Sequence, residues 1–290
     1  MKSLNLYGFA SGIAANNPDC GLGPLYLYYH PELWGDLPFE VEWKDLLMAT
    51  SELRGLDVLP ELLEISTLLA EDISQAVSAG EPFCVVGGDH SVGIGSWSGA
   101  AHALREKGPL GLIWVDAHMD THTPGTSPSQ NIHGMPISHL LGHGLAPLCE
   151  LLDKAPKVLP EHLCLIGVRS FEPGEAQLLQ DLNVKVYTME EVTQRGLDVV
   201  FAEARDSLFT KIKHFGLTID LDAFDPTDAP GVGCQEAGGI RSAEFVKVVK
   251  GLARYPGFVG MEIAELNPLL DDQAKTAKLI PEIVKAVYAE

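Results

Sequence analysis

The chain has 290 residues, 46% of them hydrophobic, and a formal net charge of −20. That is ample apolar material for a sizeable core. No apolar run approaches the roughly 18 residues a membrane span needs, and the acidic balance disfavours nucleic acid and anionic membranes while suiting a cationic partner. The five cysteines (Cys20, Cys84, Cys149, Cys164 and Cys234) are odd in number, scattered and free of any CxxC pair. This suits reduced thiols in a cytoplasmic protein and argues against a thiolate metal site.

The opening "MKSLNLYGFASG" predicts a short strand and lacks the apolar stretch of a secretory leader. Next come segments that read as buried strands, apolar on both faces: 83–88 (FCVVGG), 110–116 (LGLIWVD), 163–168 (LCLIGV), 184–189 (VKVYTM), 215–222 (FGLTIDLD) and 258–266 (FVGMEIAEL). Helical patterns separate them, at 58–80, 91–107, 134–153, 174–182, 189–210, 242–255 and 276–289. Such alternation predicts βαβ units around a parallel sheet covered on both sides. No repeat, low-complexity tract or linker divides the chain, so 1–290 reads as one domain. The stretch "THTPGTSPSQNIHG" at 121–134 is the longest predicted loop, a length that is usually functional or disordered.

Three predicted strands end in acids and histidines. "VDAHMD" delivers Asp116, His118 and Asp120; "TIDLD" delivers Asp220 and Asp222; "VVGGDHS" delivers Asp89 and His90. Side chains two apart on an extended strand share a face, so an extended continuation past residue 116 would let Asp116, His118 and Asp120 converge. Open α/β sheets bind ligands beyond the carboxyl ends of their strands. One such acid would be an ordinary helix cap or loop residue. Several buried together without a cation are too costly, so His90, Asp116, His118, Asp120, Asp220 and Asp222 are the expected metal ligands. Six protein ligands would fill one octahedral ion, whereas two ions roughly 3.5–4 Å apart sharing carboxylates leave room for a water. Oxygen and imidazole donors without thiolate suit Mn²⁺, with Fe²⁺, Co²⁺ or Ni²⁺ as alternatives. Water on two dications is hydroxide near neutral pH, so the expected chemistry is hydrolysis.

No Lys or Arg occurs from Gly108 to Asp153 or from His214 to Ile240. A two-metal phosphoesterase would bring cations to its phosphate, so the head group expected here is neutral or cationic. Glu265, closing the last predicted strand, can pair with a guanidinium.

With these residues assembled, the sequence resembles the arginase/agmatinase (ureohydrolase) family. "GGDHS" (87–91), "DAHMD" (116–120), "DLDAFDP" (220–226) and "ELNP" (265–268) match its metal and substrate motifs in order. The resemblance implies a single-domain, three-layer α/β/α fold with a mainly parallel sheet of about eight strands, assembled as a homo-oligomeric trimer or hexamer. It implies one Mn²⁺ on His90, Asp116, Asp120 and Asp220 and another on His118, Asp116, Asp220 and Asp222, with Asp116 and Asp220 bridging. A bridging hydroxide, oriented by Asp120, would attack the guanidino carbon. His133 in "NIHGMP" stands at the proton-shuttle position, fitting for a group that titrates near neutrality, and Glu265 would receive the guanidinium.

The loop "HTPGTSPSQNIHGMP" resembles that of arginases, placing Ser129 and Asn131 where the substrate α-carboxylate is held. The implied reaction is L-arginine to L-ornithine and urea. Agmatine, another guanidino acid such as 4-guanidinobutanoate, or a formimidoylglutamase substrate is the alternative. The chain departs from the arginase pattern at His122, usually Asn, at Ser170 and Glu172, where "GVRSFEPGE" replaces an Asp-x-Asp pair, and at Cys234, where the family has Thr near the guanidinium. Glu172 is then the one acid expected at the α-ammonium. The extended C-terminal tail that ties some arginase trimers together is not expected.

Overall fold

In a computed structural model, which describes residues 3–289, eight strands form one sheet. They are β1 (Ser3–Ser11), β2 (Glu40–Ala49), β3 (Phe83–Gly87), β4 (Leu110–Val115), β5 (Leu163–Val168), β6 (Lys185–Thr188), β7 (His214–Asp220) and β8 (Phe258–Ala264). Their order is β2-β1-β3-β8-β7-β4-β5-β6, and every neighbouring pair is parallel. The inner strands bury every residue of "FCVVG" and "LGLIWV", as a sheet covered on both faces requires.

The helices are α1 (Leu22–Tyr29), α2 (Leu59–Ala79), α3 (Val92–Leu104), α4 (Pro136–Leu140), α5 (Ala146–Cys149), α6 (Pro173–Asp181), α7 (Met189–Arg195), α8 (Leu197–Phe209), α9 (Ser242–Val248) and α10 (Lys275–Tyr288). They cover the two sheet faces over two apolar clusters, one built on Leu4, Ile113, Leu217 and Ile280, the other on Phe9, Leu69, Trp97 and Trp114. The three-layer α/β/α architecture expected from sequence is present. Helix α2 shows how its sequence folds it. Leu62, Ile65, Leu69, Ile73, Ala76 and Val77 recur at three- and four-residue spacing and are buried, giving one apolar stripe. Gly80, at φ 75°, then ends the helix by turning its N–H back to the carbonyls of Ala76 and Val77.

Several boundaries differ from expectation. Strand β2 and helix α1 were not expected. β2 lies at the sheet edge, pairs only with β1, and carries Glu40, Glu42, Lys44 and Asp45. Such charges protect an edge from further pairing and erase the apolar signature. The helix expected over 134–153 is two short helices, α4 and α5, interrupted at Gly142, whose φ is 84°. The one expected over 189–210 breaks at Gly196, φ 90°, into α7 and α8. α9 stops at Val248, short of the expected 255.

The sheet order positions the site. β3, β8, β7 and β4 are consecutive in the middle of the sheet. These are the strands whose carboxyl ends carry His90, Glu265, Asp220 with Asp222, and Asp116 to Asp120. Residues far apart in sequence therefore leave the sheet side by side.

Candidate metal centre and substrate cleft

His90 Nδ1 lies 3.2 Å from Asp116 Oδ2 and 2.9 Å from both Asp120 Oδ2 and Asp220 Oδ2. His118 Nδ1 lies 3.0 Å from Asp222 Oδ2 and 3.6 Å from Asp116 Oδ1. Within this cluster two groups thus have donors close enough to share an ion: His90, Asp116 and Asp220, and Asp116, His118 and Asp222. Asp116 belongs to both, offering one oxygen to each side. Asp220 belongs to the His90 group alone, and its Oδ1 accepts the N–H of Asp222 at 2.8 Å. All six expected ligands are brought together.

They converge by a different route from the one the alternation suggested. β4 ends at Val115, and the chain does not remain extended. The His118 N–H bends back to Asp116 Oδ1 at 2.7 Å, and Asp120 adopts φ 49°. Asp222 sits in a short 3₁₀ turn after Asp220. The side chains are aimed by turns at the strand ends. Glu265, φ 73°, is aimed in the same way just past β8. Left-handed backbone is uncommon for side chains other than Asn and Asp and concentrates at functional sites.

The donor set calls for cations. Asp116 and Asp220 are essentially fully buried, with no Lys or Arg among the cleft-lining residues. His90 Nδ1 and Asp120 Oδ2 are buried without a hydrogen-bonding partner. With protons as the only available cations, the cluster gathers them. Burial works against a charged His118, yet the carboxylates of Asp222 and Asp116 lift it far above the ordinary imidazole value. Burial and the neighbouring Asp222 and Asp116 raise Asp220 well above the carboxylate range. Burial, with Asp116, raises Asp120 to about 6. A site that holds protons on imidazoles and carboxylates alike fits divalent metal, which would displace them.

Surrounding residues fix these ligands. Trp114 Nε1 donates to Asp116 Oδ2 at 3.0 Å, and its ring stacks on His90 with centroids 4.7 Å apart. Asp89 is not a ligand: its carboxylate accepts the N–H groups of Ala14 and Ser91, 3.0 Å each, and the Ser91 hydroxyl. Arg169 reaches the cluster from behind, donating to the carbonyls of Asp222 at 2.7 Å and Glu236 at 2.8 Å.

The cluster floors a cleft of about 240 Å³ lined by His118, His122, Ser127, Ser129, Asn131, His133, Glu172, Glu175, Cys234, Glu265, Asp120, Asp220 and Asp222 among others. His133 Nδ1 is 3.2 Å from Glu265 Oε1, which also accepts the N–H of His90 at 2.9 Å. Burial opposes charge on His133, but Glu265 outweighs it and raises the ring to about 9. Cys234 lines the cleft, its thiol pushed up to about 12 by burial and by Glu265.

The outer end of the cleft corrects the sequence reading twice. Ser170 does not line the cleft, and its N–H is committed to the carbonyl of Ala117 at 3.0 Å. Glu172 is not the one acid there. Its Oε2 lies 2.9 Å from His122 Nε2, and Glu175 Oε2 lies 3.4 Å from the same nitrogen. Glu175 also accepts the N–H groups of Thr121 and Glu172 at 3.3 and 3.0 Å, pinning the turn after Asp120 to the start of α6. Burial raises its carboxyl to about 8. The capping-box spacing of Glu172 and Glu175 in "EPGE" was the signal that marked it. Asn16, also unexpected, lines the cleft and accepts from Asn131 Nδ2 at 2.6 Å.

The arginase family model matches residues 3–289. The chain belongs to the arginase family. Among curated relatives, an arginase of Bacillus caldovelox is 38% identical, covering 100% of this chain and 99% of its own length. One of Bacillus subtilis is 37% identical over 90% of this chain and 85% of its own. Among solved structures, a Bacillus subtilis arginase superposes with a TM-score of 0.90 at 33% identity, covering 100% of this chain and 99% of its own. The Bacillus caldovelox arginase superposes at 0.89 and 34%, with the same coverage. A formimidoylglutamase from Bacillus subtilis, at 19% identity and a TM-score of 0.79, shares the fold. Family membership makes this chain a metal-dependent ureohydrolase acting on the C–N bonds of linear amidines, with a small guanidino substrate. Among the described residues, no helix is long and apolar enough to cross a membrane.

Proposed function

We propose that residues 1–290 form one catalytic domain that hydrolyses L-arginine to L-ornithine and urea with two Mn²⁺ ions, as a cytoplasmic homo-oligomer, trimer or hexamer. The observation that carries this reading is the shared carboxylate of Asp116, one oxygen toward His90 and the other toward His118. His90, Asp116, Asp120 and Asp220 would hold one ion and His118, Asp116, Asp220 and Asp222 the other, so that Asp116 and Asp220 would be shared. Bound metal would supply a hydroxide nucleophile at neutral pH and a template for the head group.

The chain's own groups do the rest. Glu265 is held ionised; burial opposes this, but His133 outweighs it. Its carboxylate receives the guanidinium. Asp120, aimed into the cleft by its left-handed backbone, accepts the proton of the attacking water. His133, with Nδ1 turned to Glu265, has Nε2 for passing a proton to the departing ornithine amine. Water adds to the guanidino carbon, the bond to the ornithine nitrogen breaks, and the proton goes to that nitrogen. At the outer end, Ser129 and Asn131 offer neutral hydrogen bonds to the α-carboxylate. Glu172, held ionised by its hydrogen bonds with Glu175 and His122, accepts the α-ammonium, while Cys234 packs beside the guanidinium.

Urea release from arginine, agmatine, 4-guanidinobutanoate and formimidoylglutamate, measured as kcat/KM on Mn²⁺-loaded protein, tests the proposal. Arginine should be preferred, because agmatine leaves the polar groups of the 121–134 loop unpaired at about 1–3 kcal/mol. Preference for agmatine or guanidinobutanoate would overturn the substrate while leaving the ureohydrolase chemistry intact.

A further inference from the structure

Glu262 is the one acid in the middle of β8, fully buried three residues before Glu265. An ionisable side chain in a central strand is costly unless it is partnered. One of its oxygens is partnered: Oε2 accepts the indole N–H of Trp97 at 3.1 Å. The same indole reaches Thr218 Oγ1 at 2.6 Å on the neighbouring strand β7. The other oxygen, Oε1, has no hydrogen-bonding partner. The polar atom facing it is His90 Nε2, 3.6 Å away, which is itself buried and without a partner. The opposite nitrogen of that ring, Nδ1, faces Asp116, Asp120 and Asp220. Two buried orphan atoms of complementary chemistry therefore confront each other across the ring from the ligand cluster.

From this juxtaposition we infer that Glu262 is a positioning residue for the metal centre: its Oε1 takes the Nε2–H of His90 and so presents Nδ1 as the metal-binding nitrogen. The inference rests on the metal reading given above. A neutral imidazole carries its proton on one nitrogen only, and the acceptor on one side decides which nitrogen is free on the other. A carboxylate behind a ligating histidine fixes both tautomer and ring orientation. Here the carboxylate is itself oriented, because Trp97 holds Oε2 and leaves Oε1 no other direction. Stacking of Trp114 on the ring blocks rotation about its long axis. Trp97, on α3, and Thr218, on β7, thereby reach the centre through Glu262 without touching a ligand.

Glu262→Gln separates this role from simple packing. Trp97 and His90 face different oxygens of the carboxylate, and an amide offers an oxygen in only one of those two directions, so its NH₂ group must confront one of the two donors. Mn²⁺ binding to chelator-stripped protein, followed through the signal of free Mn²⁺ in electron paramagnetic resonance, should show one site weakened by about 10–100-fold in the variant. The other site should keep its affinity. Trp97→Phe frees Oε2 but leaves Oε1 facing His90, and should weaken the same site less. A purely structural role would lower the melting temperature of both variants and leave Mn²⁺ affinity at the wild-type value, which would overturn the inference. Wild-type protein that binds no Mn²⁺ would instead refute the underlying metal reading. Should Glu262→Gln fail to fold, ¹⁵N spectra of the histidine rings in Zn²⁺-loaded wild-type protein decide. A protonated Nε2 and metal-bound Nδ1 on His90 are expected, and a metal-bound or unprotonated Nε2 would refute the assignment.

Discussion

The floor of the cleft and its outer end are built by different means. On the floor, four consecutive central strands stop at the same height, and each aims its ligands by a short turn beginning within a residue or two of the sheet. At the outer end, Ser129, Asn131 and His122 sit on the 121–134 loop and Glu172 precedes α6, so they are placed by contacts among side chains. The contrast teaches where substitutions are tolerated. A ligand tied to the sheet has no neighbour able to replace it. The outer cluster, in which His122 engages both Glu172 and Glu175, absorbs a changed residue by re-pairing. The departures from the arginase pattern fall at or beside the outer end and at Cys234, and His122 and Glu172, two of those departures, are partners.

The contrast breaks most sharply at Asp116. Asp116→Ala should lose metal on both sides and abolish turnover, as elemental analysis and urea assay will report. Asp220→Ala sharpens the point. Loss of both metals supports a shared Asp220, whereas one retained equivalent would mean that Asp220 serves the His90 side alone. Next in size is His133, which lines the floor but is no ligand. His133→Ala should keep its metal and turn over roughly 10²–10⁴-fold more slowly. Wild-type turnover would remove His133 from the chemistry.

At the outer end the effects should be smaller. Glu172→Gln is expected to raise KM for arginine on the order of tenfold and leave kcat nearly unchanged, because it touches the tail and not the reacting carbon. An equal fall in kcat would show that the outer end helps to set the floor's geometry. The smallest effect concerns pH. In metal-stripped protein the folded pKa of His133 is raised to about 9, against an unfolded value of about 6.5. Its stabilising pairing with Glu265 is therefore fully present below about pH 6.5 and is lost as pH rises through about 9. The difference in stability between wild type and His133→Ala, on the order of 1 kcal/mol, should shrink across that window in urea melts. A difference independent of pH would contradict the pairing.

The floor was legible in the sequence because strand ends announce themselves: an apolar run followed by acids and histidines. The six residues that cluster there and Glu265 could be named from it, while His133 came from the resemblance of "NIHGMP" to the family motif. The route of convergence could not, since alternation along a strand suggests an extended chain and says nothing of a turn that places Asp120 at φ 49°. The outer end was half legible. Ser129, Asn131, His122 and Glu172 were named, yet Ser170 turned away from the cleft, and Glu175 and Asn16 were missed because their roles depend on tertiary partners. Strand β2 was hidden by its edge charges. Glu262 lay in plain view inside an apolar strand, but only the facing nitrogen of His90 gives it meaning.

The left-handed backbone at Glu265 sets evolution of robustness against evolution of rate. Glycine adopts such a conformation freely, whereas a side chain other than Asn or Asp holds it at a cost of order 1–3 kcal/mol. A library of variants screened for heat resistance alone, without assay of urea, would therefore enrich glycine at position 265, where a glutamate holds φ 73°. Those survivors would be sturdier than the parent and inert. Robustness in this chain should be sought at sites such as the exposed Met48 and Leu53, which do not line the cleft.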